Sequence, residues 1–277
     1  MVNPAVRFED NDFSSKSVER KDWIVVLPCG AYEQHGPHLP MDTDTIIAHG
    51  LVERTIRILP STLPVTFMQV EPIGYSIEHM YAAGTKTLSY AEAIERWLAI
   101  IGHIGAVGVR KVVLLNAHGG NSPLISIVST EARVRFSMLV VSTSWSRFGV
   151  PDGLITFLEQ EIGIHGGEAE TSMMLVLAPH LVNMNLSKNF SSRQLEFSRN
   201  FTYLRAYGPH SFGWTMEDLN AEGVVGNAMA ATPETGESLL SHFSSCFIRL
   251  LGDVNTFNVD IFDKNAKNKS QSIESYD

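Results

Sequence analysis

The twelve residues from Glu33 to Asp44 contain Glu33, His35, His38, Asp42 and Asp44, directly after an apolar run. Carboxylates and imidazoles in one group are the ligand set of divalent cations. Glu33 and His35 are two apart, so in extended backbone their side chains leave on the same side. Gly30, Gly36, Pro37 and Pro40 around them specify a loop rather than a helix. Two further polar groups repeat the theme: Asn116-Ala117-His118-Gly119-Gly120-Asn121 and His165-Gly166-Gly167-Glu168-Ala169-Glu170. The glycines after His118 let backbone approach a ligand closely, and Asn116 and Asn121 can tie such a loop through their side chains. His165 and Glu168, three apart at a helix entrance, can converge on one site. Glu168 and Glu170 also suit the first turn of a helix on charge grounds alone.

The elements that position these groups follow from hydrophobic patterning. Continuous apolar runs at 23–28, 66–70, 111–116 and 138–144 have the form of strands buried on both faces. Helical periodicity fills 45–59, 89–105 and 123–136, with Asp44 or Thr43 capping the first helix and Ser89 the second. This alternation specifies an α/β fold with a mainly parallel sheet. Sites in such sheets lie outside the carboxyl ends of strands, and the first two polar groups each follow a strand. His165 opens a helix through Leu177, and a last helix spans 233–251; residues 145–165 and 185–222 carry only weak periodicity. The expected organisation is a lead-in at 1–20, a single domain at 21–259 and a tail at 260–277. That tail is rich in Asn, Lys and Ser, the composition of disorder.

Composition narrows the classes. The chain has 277 residues, 44% hydrophobic and 18% charged, which is ordinary for a soluble globular protein. A formal net charge of −9 argues against general nucleic-acid binding, but not against an anionic substrate, because bound cations make a site locally positive. Two cysteines, Cys29 and Cys246, form neither a disulfide framework nor a CxxC motif. Cys29 reads either as a small buried residue at a strand end or as a reactive thiol. Met1 to Arg7 lack an apolar signal region, and no apolar stretch reaches the length of a membrane span. The expected location is the cytoplasm, with no membrane partner.

Several segments in order resemble one family over roughly residues 20–250. Glu33-Gln34-His35-Gly36-Pro37-His38-Leu39-Pro40 with Thr43-Asp44-Thr45, Asn116 to Asn121, and His165 to Ser172 resemble the creatininase (creatinine amidohydrolase) family. So do Gly74-Tyr75-Ser76-Ile77-Glu78-His79 with Gly84-Thr85, and Gly223 to Asn227 through Gly236. The resemblance implies a three-layer α/β/α sandwich, a centre of two divalent ions (zinc, manganese or iron) and a homo-oligomer, commonly a hexamer. It implies that Glu33, Asp44 and His118 hold one ion, and that His35, a bridging Asp44 and one more carboxylate hold the other. In creatininase that carboxylate stands where this chain has Gly120. Glu168 is expected to replace it, with Glu170 or water as alternatives. The resemblance makes His165 the catalytic proton shuttle, with a pKa near neutrality, and His38 a residue that orients a ligand. Creatininases carry an acidic residue where this chain has Ile164, so creatinine itself is not the expected substrate. The activity implied is metal-dependent hydrolysis of an amide or formamide C–N bond in a small, non-peptide molecule. The alternatives are C–C cleavage opening a cyclic ketone, and a member of the family that has lost catalysis.

Overall fold

The computed structural model describes Phe8 and residues 18–263. In chain order the elements are β1 (Ile24–Cys29), α1 (Thr43–Ile58), β2 (Val65–Phe67), α2 (Tyr90–Ala106), β3 (Lys111–Asn116), α3 (Ser122–Phe136), β4 (Leu139–Ser144), α4 (Phe157–Ile162), α5 (Glu168–Leu177), β5 (Asn189–Phe190), α6 (Gln194–Asn200), α7 (Met216–Leu219), β6 (Gly226–Asn227) and α8 (Pro233–Thr256). The main sheet has the order β2-β1-β3-β4 and every pair in it is parallel. β5 and β6 form a small antiparallel pair apart from it.

Alternate residues of the strands feed two layers of helix, as the period of two requires. Val25, Leu27, Val112 and Leu114 pack against Trp97, Leu98 and Ile101 of α2 and Leu124, Ile125 and Val128 of α3. Ile24, Val26, Val113 and Leu115 face Val52 of α1 and Phe247, Leu251 and Val254 of α8. The result is the three-layer α/β/α sandwich. α2 is cut by its own sequence: Ser89 Oγ accepts from the Glu92 N–H, while the Glu92 carboxylate accepts from the Ser89 N–H. Such a cap contributes about 1 kcal/mol.

The strand order reverses at β1. The chain leaves β1 toward β2 on one side and returns through α2 to β3 on the other, so the loops after β1 and β3 diverge at adjacent strand ends. That is the crevice of an open parallel sheet, and both polar loops enter it.

Some boundaries differ from those read in the sequence. α1 begins at Thr43, with Asp42 at the N-cap and Asp44 in the first turn, so Asp44 does not cap the helix. β2 ends at Phe67. The helix expected from His165 begins at Glu168, because Gly166 has φ 65 and Gly167 is extended (φ −80, ψ −158). His165 is instead held as a β-bridge to Val225. α4 lies in a stretch whose six helical residues are too few to show periodicity. At the C-terminus, Asp260 pairs with Lys21 at 3.3 Å and Asp263 with Arg110 at 2.9 Å, so ordered contacts extend into the expected tail. Residues 1–7, 9–17 and 264–277 of the expected lead-in and tail lie outside the described residues. Among the described residues no helix is long and apolar enough to cross a membrane.

Candidate metal centre

The loop after β1 is tied at its base. The Glu33 N–H donates to Met41 O at 2.9 Å, and Thr45 Oγ1 donates to Ala31 O at 3.1 Å. This brings Glu33, His35 and Asp44 together. The loop after β3 is held by its two asparagines. Asn121 Nδ2 donates to Gly30 O and to Asn116 Oδ1, both at 3.1 Å, and the His118 N–H donates to that same Oδ1. Asn121 Oδ1 accepts from the Tyr75 N–H at 2.9 Å, which adds the segment from Tyr75 to His79 to the cluster.

Backbone carbonyls set the tautomers. A carbonyl can only accept, so His35 Nδ1 carries a proton to Glu33 O (3.0 Å), His118 Nε2 to Tyr75 O (2.8 Å) and His165 Nε2 to Gln34 O (2.7 Å). Each ring then turns its other nitrogen inward. His35 Nε2 lies 3.3 Å from Asp44 Oδ1, and His118 Nδ1 lies 3.4 Å from Asp44 Oδ2. The two oxygens of Asp44 are thus divided between two imidazoles. Glu33 Oε1 is 3.0 Å from His118 Nδ1 and 3.6 Å from both His165 Nδ1 and His79 Nε2. Glu170 Oε2 stands 3.9 Å from His35 Nε2 and accepts from the Gly166 N–H at 2.7 Å.

The arrangement calls for cations. Glu33, His35 and Asp44 offer donor atoms within 4.8 Å of one another, as do His35, His165 and Glu170, and Glu33, Glu78 and His118. Glu33 and Asp44 are almost wholly buried, and two carboxylate charges at such a separation repel by roughly 3 kcal/mol even at an effective dielectric constant of 20. With the inward imidazole nitrogens unprotonated, as these tautomers leave them, both Glu33 carboxylate oxygens, His35 Nε2 and Asp44 Oδ2 have no hydrogen-bond partner. Buried polar atoms are otherwise almost always satisfied, so these residues fit a metal centre.

Without metal, protons take that place. Burial opposes a charged His35, but Asp44, Glu170 and Glu33 outweigh it and raise its pKa to about 9. His118 is likewise raised against the effect of burial, by Glu33 and Asp44. Asp44 is itself buried, yet the two imidazoles hold its pKa below the usual carboxylate range. Burial pushes Glu170 up to about 7. His165 goes the other way: burial and then the neighbouring His35 and His79 keep it well below its ordinary value.

Several predicted residues stand elsewhere. Glu168 is in none of the ligand groups among the described residues. As the first residue of α5 it is placed by its backbone, whose N–H donates to Glu159 Oε1; Glu170 faces the cluster instead. His38 is also outside the groups. Its Nε2 donates to Gly166 O at 3.1 Å and meets Thr171 Oγ1 at 3.0 Å, so it fastens the turn that carries His165 and Glu170. Cys29 is fully buried, its Sγ aimed at Leu27 O, and burial raises its pKa; of its two readings the inert one holds. Glu78 and His79 were missed as candidate ligands. Their signal was an adjacent Glu-His pair in a turn-rich, aperiodic segment. Gly120, where a carboxylate would stand in creatininase, has no room for a side chain: a Cβ there would lie 2.5 Å from His118 Nε2 and 2.6 Å from Glu78 Oε1.

A cavity of about 360 Å³ opens beside the cluster, lined by Ala117, Ser122, Ser144, Trp145 and Ile164 among others, and reaches it at Glu170. A larger cavity of about 500 Å³ lies between α1 and the edge strand β2, away from these side chains.

The creatininase model, described as creatinine amidohydrolase, matches residues 11–251. A mycofactocin precursor peptide peptidase of Mycobacterium tuberculosis is 33% identical over 165 residues, covering 56% of this chain and 59% of the relative. The match thus spans less than two thirds of that relative's length. A 3-dehydro-scyllo-inosose hydrolase of Thermotoga maritima is 24% identical over 250 residues, covering 83% of this chain and 77% of the relative. A crystal structure of creatinine amidohydrolase superposes with a TM-score of 0.66 at 25% identity, covering 86% of this chain and 92% of that one.

Proposed function

The chain belongs to the creatininase family, and from that premise we propose that it is a hydrolase that cleaves an amide or formamide C–N bond in a small molecule at a two-metal centre. The observation that carries this is the division of Asp44 between His35 and His118 at 3.3 and 3.4 Å, a disposition that would let one carboxylate serve two ions. Glu33, Asp44 and His118 would hold one ion, and His35, Asp44 and Glu170 the other. When bound, such a pair polarises a carbonyl and lowers the pKa of water. Zinc, manganese and iron(II) all suit this mixture of oxygen and nitrogen donors.

The chain's own residues supply the rest. The bond from His165 Nε2 to Gln34 O fixes the ring and leaves Nδ1 as an acceptor facing the cluster. With its Nε2 proton committed to Gln34 O, the unprotonated Nδ1 would take up a proton and return it to the leaving nitrogen. The cavity of about 360 Å³ falls in the range of small-molecule sites, and its serines and the face of Trp145 would orient the substrate.

The inosose hydrolase relative aligns over 83% of this chain and favours a second reading, hydrolytic opening of a cyclic ketone. The test is metal analysis of the purified protein followed by incubation with panels of small amides, formamides and cyclic diketones. The proposal expects release of an amine or formate, abolished by chelation. His165→Ala is expected to retain its metals and lose roughly two to four orders of magnitude in rate, the usual contribution of a general acid–base group. Acid formation from the ketones without release of nitrogen would favour the second reading. A metal-free protein, or His165→Ala with normal turnover, would contradict the proposal.

A further inference from the structure

Glu159 lies on α4, outside the ligand groups among the described residues, yet it is buried and both its carboxylate oxygens are committed. Oε1 accepts from the Glu168 N–H at 2.9 Å and Oε2 from the Asn227 N–H at 2.8 Å. The first bond caps α5, where a negative charge is favoured by the helix dipole. The second holds the strand whose neighbour Val225 donates to His165 O at 2.9 Å. Three glycines leave space for this carboxylate. A Cβ on Gly167 or Gly226 would come within 2.5 Å of Oε1, and one on Gly163 would overlap it. The stretch 163–170, which carries both His165 and Glu170, and the strand Gly226–Asn227 therefore meet on this one side chain of α4.

We propose that Glu159 is a positioning residue: its carboxylate locks the start of α5 and the strand beside His165, and so places Glu170 and His165 against the metal centre. The inference rests on the two-metal reading above and adds a residue to it. It separates the two ions, because the set of Glu33, Asp44 and His118 hangs on the loops after β1 and β3, which Glu159 does not touch. A glutamine keeps the shape but turns an amide N–H₂ toward one of the two backbone donors, leaving that donor unpaired.

The experiment is calorimetric titration of the metal-free full chain with Mn²⁺, together with thermal unfolding of the same metal-free samples. The variants are Glu159→Gln and Gly163→Ala. Gly163 has φ −83, which alanine can adopt, and its methyl would press on the Glu159 carboxylate and, at 2.8 Å, on the Glu159 carbonyl, so it perturbs the same contact without removing the charge. The expected result is two equivalents in wild type. Each variant should keep one ion at wild-type affinity and bind the other about ten- to a hundredfold more weakly, the usual effect of losing a residue that orients a ligand. Two ions at wild-type affinity in both variants would overturn the inference alone. Equal weakening of both ions with a lowered unfolding temperature would reduce Glu159 to a structural residue and overturn it too. A wild-type chain that binds no Mn²⁺ would instead overturn the two-metal reading, and the inference with it.

Discussion

At His35 and His118 the chemistry turns on which nitrogen is left free. The Glu33 and Tyr75 carbonyls take the outward N–H groups, so the inward nitrogens face Asp44 and must find a cation. In the metal-free protein that cation is a proton. A folded His35 pKa raised from 6.5 to about 9 contributes stability that is fully present below about pH 6.5 and is lost as pH rises through about 9. Asp44, whose pKa is depressed, contributes stability that is present above the ordinary carboxylate range and is lost as pH falls. Metal ligands must be deprotonated, so loading displaces protons. Titration of metal-free protein with Zn²⁺ near pH 7.5, in buffers of different ionisation heat, should report release of roughly two protons per chain, one each from His35 and His118. A binding heat independent of the buffer would contradict this assignment of protons.

At the scale of the element, turns decide which side chains reach the centre. The sequence reading pairs His165 with Glu168 because three residues on a helix bring side chains to one face. Gly166 and Gly167 instead delay the helix to Glu168. The residue that faces the centre is then Glu170, which folds back on the Gly166 N–H. The four strands were legible because burial on both faces leaves continuous apolar runs, and the Ser89 cap because its box with Glu92 is local. Glu78 and His79 were not legible as site residues, since the Asn121–Tyr75 bond that delivers their segment joins positions far apart in sequence. The loop after β3 offers a direct check. Gly120→Ala should push the Tyr75 carbonyl and Glu78 away from His118, because its Cβ would stand 2.5 Å from His118 Nε2. The expected outcome is a metal affinity about ten- to a hundredfold lower, with the fold retained by circular dichroism. Unchanged affinity would mean that the Tyr75–His118 bond does not orient the ligand.

Across the whole molecule, the parallel sheet makes a crevice by reversing its strand order at β1, and that crevice gathers loops from four parts of the chain. The glycines at 120, 163, 167 and 226 keep the space around the side chains there open. The central claim is that Asp44 is shared by two ions. Crystals grown with Zn²⁺ and measured by anomalous diffraction at the zinc edge test it most directly. The account predicts two peaks per chain flanking the Asp44 carboxylate, one beside Glu33 and His118 and the other beside His35 and Glu170. A single peak, or none in a well-ordered chain, would contradict it.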